Sequence, residues 1–332
     1  TRNKEMCSLL LQTTLIGTLV RILGIYRKAA MQAPIMETLL HLLEAKEQDA
    51  AMAMIESSVV EACATSVKAF GVAAEVVTPC VEVLIMLSHN EAAEVHLLSV
   101  TLVPDLIAVI GKEGQEERIQ TRCVELLHIL VLQLRTSTLA LQSVRDVKVL
   151  VGVIRVTLKH DKETLMKTLS VILRSLQLVD LLYEDIRGSG LSEAVCEVLL
   201  RYTGDESIEE CCIQIMALLV ANSEATHEAF KRRDVVSIVV DNMRVYKTKT
   251  LQLACCKALA FLSKYMDVVD YLAIMNISGM LLYCATTFNE AENVLHFAQC
   301  VSNISVNEVC SLQLIQDGAV ETLLQFCEKY ME

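Results

Sequence analysis

The stretch whose reading decides the fold is Val301 to Phe326, VSNISVNEVCSLQLIQDGAVETLLQF. It reads as the end of one helix (Val301 to Ile304), a short helix over Glu308 to Gln316, a turn at Asp317-Gly318, and a longer helix from Ala319. Working outward from it, the rest of the chain looks like degraded copies of the same pattern. Self-similarity at a fixed period is the signature of a repeat architecture.

Two independent positions mark the repeat. The turn residue opening each long second helix, aligned on Gly318, falls at Thr14, Ser58, Thr101, Asp146, Gly190, Asp234, Ser278 and Gly318, at intervals of 44, 43, 45, 44, 44, 44 and 40. The small residue of each third helix falls at Met36, Cys80, Cys123, Leu169, Cys212, Cys255 and Phe297, at intervals of 44, 43, 46, 43, 43 and 42. Around this second anchor, apolar residues recur four before, four after and seven after, which is one face of a helix. Cys123 has Ile119, Leu127 and Leu130; Leu169 has Leu165, Leu173 and Leu176. Cys212 has Ile208, Met216 and Leu219; Cys255 has Leu251, Leu259 and Leu262. Chance patterning does not hold phase over a whole chain.

The order V-S-N-I, a short polar helix, I-x-x-G-A, then L-L-x-F resembles the armadillo repeat across its junction, with the two-helix HEAT repeat as near neighbour. The resemblance implies an all-α, right-handed α-solenoid of about seven three-helix repeats plus a partial terminal one. It also implies a single superhelical domain over residues 1–332, built for protein binding. Composition agrees with helices: 53% of residues are hydrophobic but only 4% aromatic, with three Pro and no Trp. Loops read as brief (Gly111 to Gln115, Lys159 to Lys162, Tyr202 to Glu206, Tyr246 to Thr248, Phe288 to Glu290), and no Pro/Gly/Ser-rich linker divides the chain. Gly188-Ser189-Gly190 reads as the most flexible connection, a repeat turn or a kink.

A net charge of −12 opposes a nucleic-acid partner, which needs a basic face to neutralise phosphate. The basic knot Lys231-Arg232-Arg233 reads as a helix end. The thirteen cysteines follow the helix core, with Cys80, Cys123, Cys212 and Cys255 at one repeat position that the armadillo family usually fills with Ala. They read as small buried hydrophobes in a reducing compartment, cytoplasm or nucleus, without disulfides. The uncharged run Met6 to Val20 is short for a membrane span, and Thr14 to Leu23 matches Thr101 to Ile110 as a repeat helix, so no membrane insertion is expected. The start at Thr1 rather than Met is what a piece of a longer protein would show.

The chain carries no phosphate loop, dinucleotide fingerprint, zinc-protease or nucleophile-elbow motif, and no C-x-x-C. His41 and His128 sit at equivalent positions of separate repeats and do not converge as metal ligands. The Asn276 and Asn303 sequons fall in a thiol-rich helical chain, and the paired carboxylates Glu116-Glu117 and Glu209-Glu210 suit helix starts. The expectation is a non-enzyme with no cofactor and no metal.

The resemblance places partner binding on the concave face, lined by third helices, where residues two and six after each anchor form an i, i+4 stripe. The two-after series is Thr38, Glu82, Glu125, Val171, Gln214, Lys257 and Gln299; the six-after series is Leu42, Met86, Ile129, Ser175, Leu218, Phe261 and Asn303. Peptide-binding family members commonly carry Asn at the six-after position, and the nuclear-import adaptor carries Trp at the two-after position. Only Asn303 matches, so a nuclear-localisation-signal receptor is not expected. The candidate contacts are Glu82, Met86, Glu125, Ile129, Gln214, Leu218, Lys257, Phe261, Gln299 and Asn303. They form either an open apolar groove for an amphipathic helix or apolar segment, or a stripe that the superhelix buries within itself. Glu82 and Glu125 suggest that the partner brings Lys or Arg. A second reading is a regulatory domain sensing a metabolite or nucleotide within a larger protein. A third is end-to-end self-association, suggested by apolar Leu9, Leu10 and Leu11 where a polar cap is normal.

Overall fold

Three of the anticipated turn residues adopt the left-handed backbone conformation: Ser58 (φ 60°), Gly190 (φ 73°) and Gly318 (φ 85°). A left-handed residue ends one helix and redirects the chain into the next, which fixes the boundary between first and second helices. In the seventh copy this role moves to Asn276 (φ 49°), which closes the helix ahead of Ser278. Asp146 instead lies inside its helix. Ser143 caps Val144–Thr157 through a capping box, its hydroxyl receiving the Asp146 N–H while the Asp146 carboxylate receives the Ser143 N–H.

The computed structural model describes residues 14–45, 47–71, 73–112, 116–133, 141, 143–158, 161–178, 183 and 186–330; their regular structure is entirely helical. The chain divides into two compact units, Thr1–Val179 and Asp180–Glu332. In the first unit the helices are α1 (Leu15–Ile25), α2 (Ala29–Ala45), α3 (Glu47–Glu56), α4 (Val59–Phe70), α5 (Ala74–Leu87), α6 (Glu91–Ser99), α7 (Leu102–Ile110), α8 (Glu117–Gln133), α9 (Val144–Thr157) and α10 (Lys162–Leu178). In the second they are α11 (Leu191–Arg201), α12 (Glu206–Asn222), α13 (His227–Phe230), α14 (Arg233–Val245), α15 (Lys249–Leu262), α16 (Met266–Met275), α17 (Ser278–Thr287), α18 (Ala291–Ile304), α19 (Glu308–Gln316) and α20 (Ala319–Tyr330). Third helices pack on third helices: α2, α5, α8 and α10 in series in one unit, and α12, α15 and α18 in the other. Each unit is thus a stack of helical repeats.

All seven third-helix anchors, Met36, Cys80, Cys123, Leu169, Cys212, Cys255 and Phe297, have 0% exposure. Their apolar neighbours at four before, four after and seven after are buried too, except Leu40 and Leu173, which are half-buried. Each large side chain so buried contributes roughly 1.5–3 kcal/mol. The anchors face second helices: Cys63 of α4 lies 3.9 Å from Met36 through their sulfurs, and the Phe297 ring meets Phe326 of α20. Twelve described cysteines are free thiols, and all but Cys327 are buried. Burial pushes Cys123 and Cys300 up to about 12, which leaves them protonated and poorly nucleophilic.

The first-helix position varies most. In the first and fourth copies it falls on residues outside those described. In the fifth its described end is the 3₁₀ turn Ile186–Ser189, so the Gly188-Ser189-Gly190 connection is a turn leading into α11. In the sixth it is the 3₁₀ turn Glu224–Thr226 followed by α13. The basic knot spans the end of α13 and the start of α14, with Arg232 as N-cap and Arg233 as first helical residue, so it is only partly the helix terminus expected. Its charges are answered locally, Lys231 by Glu228 at 2.9 Å and Arg232 by Asp234 at 2.6 Å. Among the described residues no single helix is long and apolar enough to cross a membrane.

Candidate interaction surface

The stripe forms where the third helices stack, but it is more enclosed than its sequence suggests. Leu42, Ile129, Val171 and Ser175 are buried, with Ile129 at 9% exposure, so Ile129 does not form an open groove floor. Glu82, Met86, Glu125, Gln214, Leu218, Lys257, Phe261, Gln299 and Asn303 are half-buried, and Thr38 is exposed. Enclosure follows from packing between copies: Phe261 leans on His296 of the following third helix, and Asn303 on Ala260 and Ser263 of the preceding one.

In the first unit the carboxylates are already paired. Glu82 Oε1 lies 3.5 Å from both Arg118 Nη2 and Arg122 Nε on the next third helix. Arg122 Nη1 donates to Glu125 Oε2 at 2.7 Å, and Lys167 Nζ donates to Glu125 Oε1 at 3.1 Å and to Glu163 Oε1 at 2.7 Å. Burial alone would raise the Glu125 carboxyl, but hydrogen bonds from Arg122 and Lys167 outweigh it and hold it below the usual range. Burial would likewise lower Lys167, yet its bonds to Glu163 and Glu125 hold the ammonium above its usual value. The two carboxylates expected to recruit a basic partner are therefore consumed in joining one copy to the next. Met86 borders a recess of about 420 Å³ shared with Gln48, Ala51, His89, Asn90 and Glu91.

In the second unit the same positions carry different chemistry. Lys257 Nζ donates to Glu292 Oε1 at 3.1 Å, and His296 Nε2 lies 3.5 Å from the same oxygen. The Lys257 bond holds the Glu292 carboxyl below its usual range. His296 is only 8% exposed, and neither of its ring nitrogens completes a hydrogen bond. Burial, reinforced by Lys257, depresses its basicity. The Phe261 ring packs tilted against His296, centroids 5.9 Å apart, and the exposed Lys264 ammonium lies 5.3 Å from its centre. Gln214 donates to Glu210, which also accepts from Thr250 of the next copy. Asn303, the one match to the family's asparagine position, donates to the Ala260 carbonyl and to Ser263 Oγ, each at 3.0 Å. It ties α18 to α15 instead of presenting a free amide to a peptide.

One register appears once in each unit. The two-after residue of one copy meets the residue five before the anchor of the next, Glu82 with Arg118 and Lys257 with Glu292, and Glu82 also reaches Arg122, one before. Glu125 departs from it and pairs with Lys167, two before its next anchor. The five-before and one-before positions were the signal that sequence reading overlooked, and they are legible once the anchors are known.

Among the described residues no group of three His, Cys, Asp or Glu could hold a metal ion. His128 is half-buried and packs beside Lys167 and Glu125. A cavity of about 250 Å³ in the first unit is lined by Leu23, Arg27, Gln32, Glu61 and Ser66 among others. It is smaller than most small-molecule sites, and Glu61 in it is already bonded to His96 at 2.9 Å.

No family model matches the chain, and no curated protein matches it. Among solved structures it is similar to an engineered protein of the Northeast Structural Genomics Consortium, at a TM-score of 0.58 and 12% identity over 98% of this chain and 87% of that one. Two further engineered proteins of that consortium match at TM-scores of 0.43 (12% identity, 82% of this chain and 99% of that one) and 0.39 (13% identity, 88% and 96%). At these identities the likeness of the first concerns the fold alone.

Proposed function

We propose that the chain is a non-catalytic, armadillo-type scaffold that captures a protein partner on the third-helix stripe of its second unit. The carrying observation is Phe261, a half-buried aromatic packed on His296 and flanked by the exposed Lys264, with half-buried Leu218 at the equivalent position of the preceding third helix. Lys264 makes no ion pair among the described residues. A large, partly exposed aromatic in an otherwise well-packed surface is the usual anchor of an interface. The partner that suits it is an apolar or amphipathic helical segment bringing an acidic residue to Lys264. Basic residues in the partner lose their rationale, because Glu82 and Glu125 are already paired. The thiol-rich core supports a reducing, cytoplasmic setting.

The test is affinity capture with three forms of the 332-residue chain. Leu218→Asp with Phe261→Asp loses the captured proteins while far-ultraviolet circular dichroism stays unchanged. Glu82→Gln with Glu125→Gln retains them. Undiminished capture by the apolar-to-Asp form removes the assignment of this surface.

A further inference from the structure

Three sulfur atoms meet in the core of the first unit, where the first and second copies join. Met36 of α2, Cys63 of α4 and Cys80 of α5 all have 0% exposure. Met36 and Cys80 are the third-helix anchors of successive copies, and both α2 and α4 pack on α5. Cys63 Sγ lies 3.9 Å from Met36 Sδ. The Cys63 thiol is also hydrogen-bonded to that of Cys80, and burial together with this bond holds Cys80 well above the usual thiol range. Packing alone does not call for sulfur here, since Leu169 and Phe297 fill the same anchor position in other copies.

The spacing suits a small, soft ion. Metal–thiolate bonds are roughly 2.3 Å long, so three sulfurs set evenly around one ion stand about 4.0 Å apart. The Met36–Cys63 separation is already close to that. A thioether beside two thiols selects copper(I), whereas structural zinc takes a fourth ligand and calcium or magnesium take oxygens. A second thiol pair in hydrogen-bond contact, Cys256 of α15 with Cys284 of α17, offers a contrast. No further His, Cys, Asp or Glu among the described residues completes that pair as a metal site. Its third neighbour is the Asn293 amide, 3.7 Å from Cys284, which is a poor ligand for a soft ion.

An entry path adjoins the triad. The cavity of about 250 Å³ is lined in part by Gln32, Ala62 and Ser66. Gln32 lies one turn before Met36 on α2, and Ala62 and Ser66 flank Cys63 on α4. Ser66 Oγ donates to Gln32 Oε1 at 2.7 Å, a bridge between α2 and α4 one turn from the sulfurs. The unbranched Met36 side chain has the rotatable bonds to bring its thioether onto an incoming ion.

We propose that Met36, Cys63 and Cys80 bind one copper(I) ion, the two cysteines as thiolates and the thioether as third ligand. Each ligating thiol gives its proton to solvent, so binding tightens as pH rises. The triad lies in the core of the first unit, so its metal chemistry is independent of partner capture on the second.

Anaerobic titration with copper(I), held by the chromogenic chelator bicinchoninate, tests this on the 332-residue chain carrying Cys7→Ser and Cys327→Ser. Those two changes remove the exposed thiol and the one outside the described residues. This background is expected to take one ion from the chelator, with X-ray absorption showing sulfur neighbours at about 2.3 Å. Cys63→Ala with Cys80→Ala loses that ion. Met36→Leu conserves core volume, keeps the fold and binds about tenfold more weakly. Cys256→Ala with Cys284→Ala, an equally buried pair, keeps the ion at unchanged affinity, which separates lost ligands from a loosened core. The proposal is overturned if the background leaves copper(I) with the chelator, or if the Cys63/Cys80 variant still takes it. It is equally overturned if Met36→Leu binds as tightly as the background, or if the Cys256/Cys284 variant loses the ion as well.

Discussion

The two units place opposite charges at the same repeat position and reach the same result. In the first, an anion at the two-after position (Glu82) meets cations five and one before the next anchor (Arg118, Arg122). In the second, a cation (Lys257) meets an anion five before the next anchor (Glu292), which the His296 imidazole also approaches. The polarity is inverted while the geometry is kept. These side chains therefore act first as staples between successive copies, and a charge on the stripe does not by itself point to a partner. The units also differ at the six-after position: Leu42, Ile129 and Ser175 are sealed into the first and only Met86 is half-buried there, whereas Leu218, Phe261 and Asn303 are all half-buried in the second.

The largest change to this comparison comes from the anchors. Phe297 is the bulkiest of the seven third-helix anchors; it is fully buried, and its ring meets Phe326 edge-on with centroids 6.3 Å apart. Phe297→Ala removes about 3–5 kcal/mol. Hydrogen exchange should show faster opening across α16 to α20, with protection in α5 and α8 unchanged. Equal loss of protection in both units would mean that they do not open separately. Next in size is partner binding. Phe261→Ala is expected to weaken capture by about 2 kcal/mol, roughly thirtyfold, while Met86→Ala in the first unit changes it little. A titration with the captured partner measures both, and a larger loss from Met86→Ala would move the site to the other unit.

Most of the fold was legible because helix periodicity is a local property. Each of the seven anchors placed by spacing alone has 0% exposure, and Ser58, Gly190 and Gly318 sit where the chain turns. The miss at Asp146 was also local: Ser143 and Asp146 form a capping box, so the helix starts ahead of the assigned turn. The stripe was legible only in outline. Its residues were placed on the right helices, yet their availability depends on partners about forty residues away, such as Lys167 for Glu125 and Ala260 for Asn303. Composition and single-helix spacing do not report such pairs; aligned positions of successive copies do.

The staples themselves differ in strength. Arg122 serves Glu82 and Glu125 at once, and both carboxylates lie largely out of water, with side-chain exposures of 19% and 22%. Arg122→Ala leaves two neighbouring anions short of a cation and should lower stability by about 1–2 kcal/mol, discounted for the partial exposure of the guanidinium. Lys257→Ala frees only Glu292, which is mostly in solvent, and should change it by less than about 0.5 kcal/mol. Denaturant midpoints at constant slope measure the contrast. Equal losses would show that the two staples are equivalent despite their burial.

The smallest effect separates the units by pH. His128 in the first and His296 in the second both have their basicity depressed below the ordinary value of 6.5, by burial and then by a nearby lysine, Lys167 and Lys257 respectively. The unfolded chain therefore binds more protons than the folded one just below pH 6.5. Their contribution to stability is complete above that pH and is lost as pH falls toward the folded-state values. The paired carboxylates Glu125 and Glu292, held below 4.5, give way in a separate and lower window. Chemical denaturation from pH 8 downward should show a first decline, under about 1 kcal/mol for each histidine, before the acid transition. His296→Phe removes the share belonging to the second unit and leaves that of His128, so the decline should shrink without vanishing. A decline unchanged in His296→Phe would mean that the imidazole is solvated in the folded chain, and that Phe261 packs against a ring open to water rather than a sealed one.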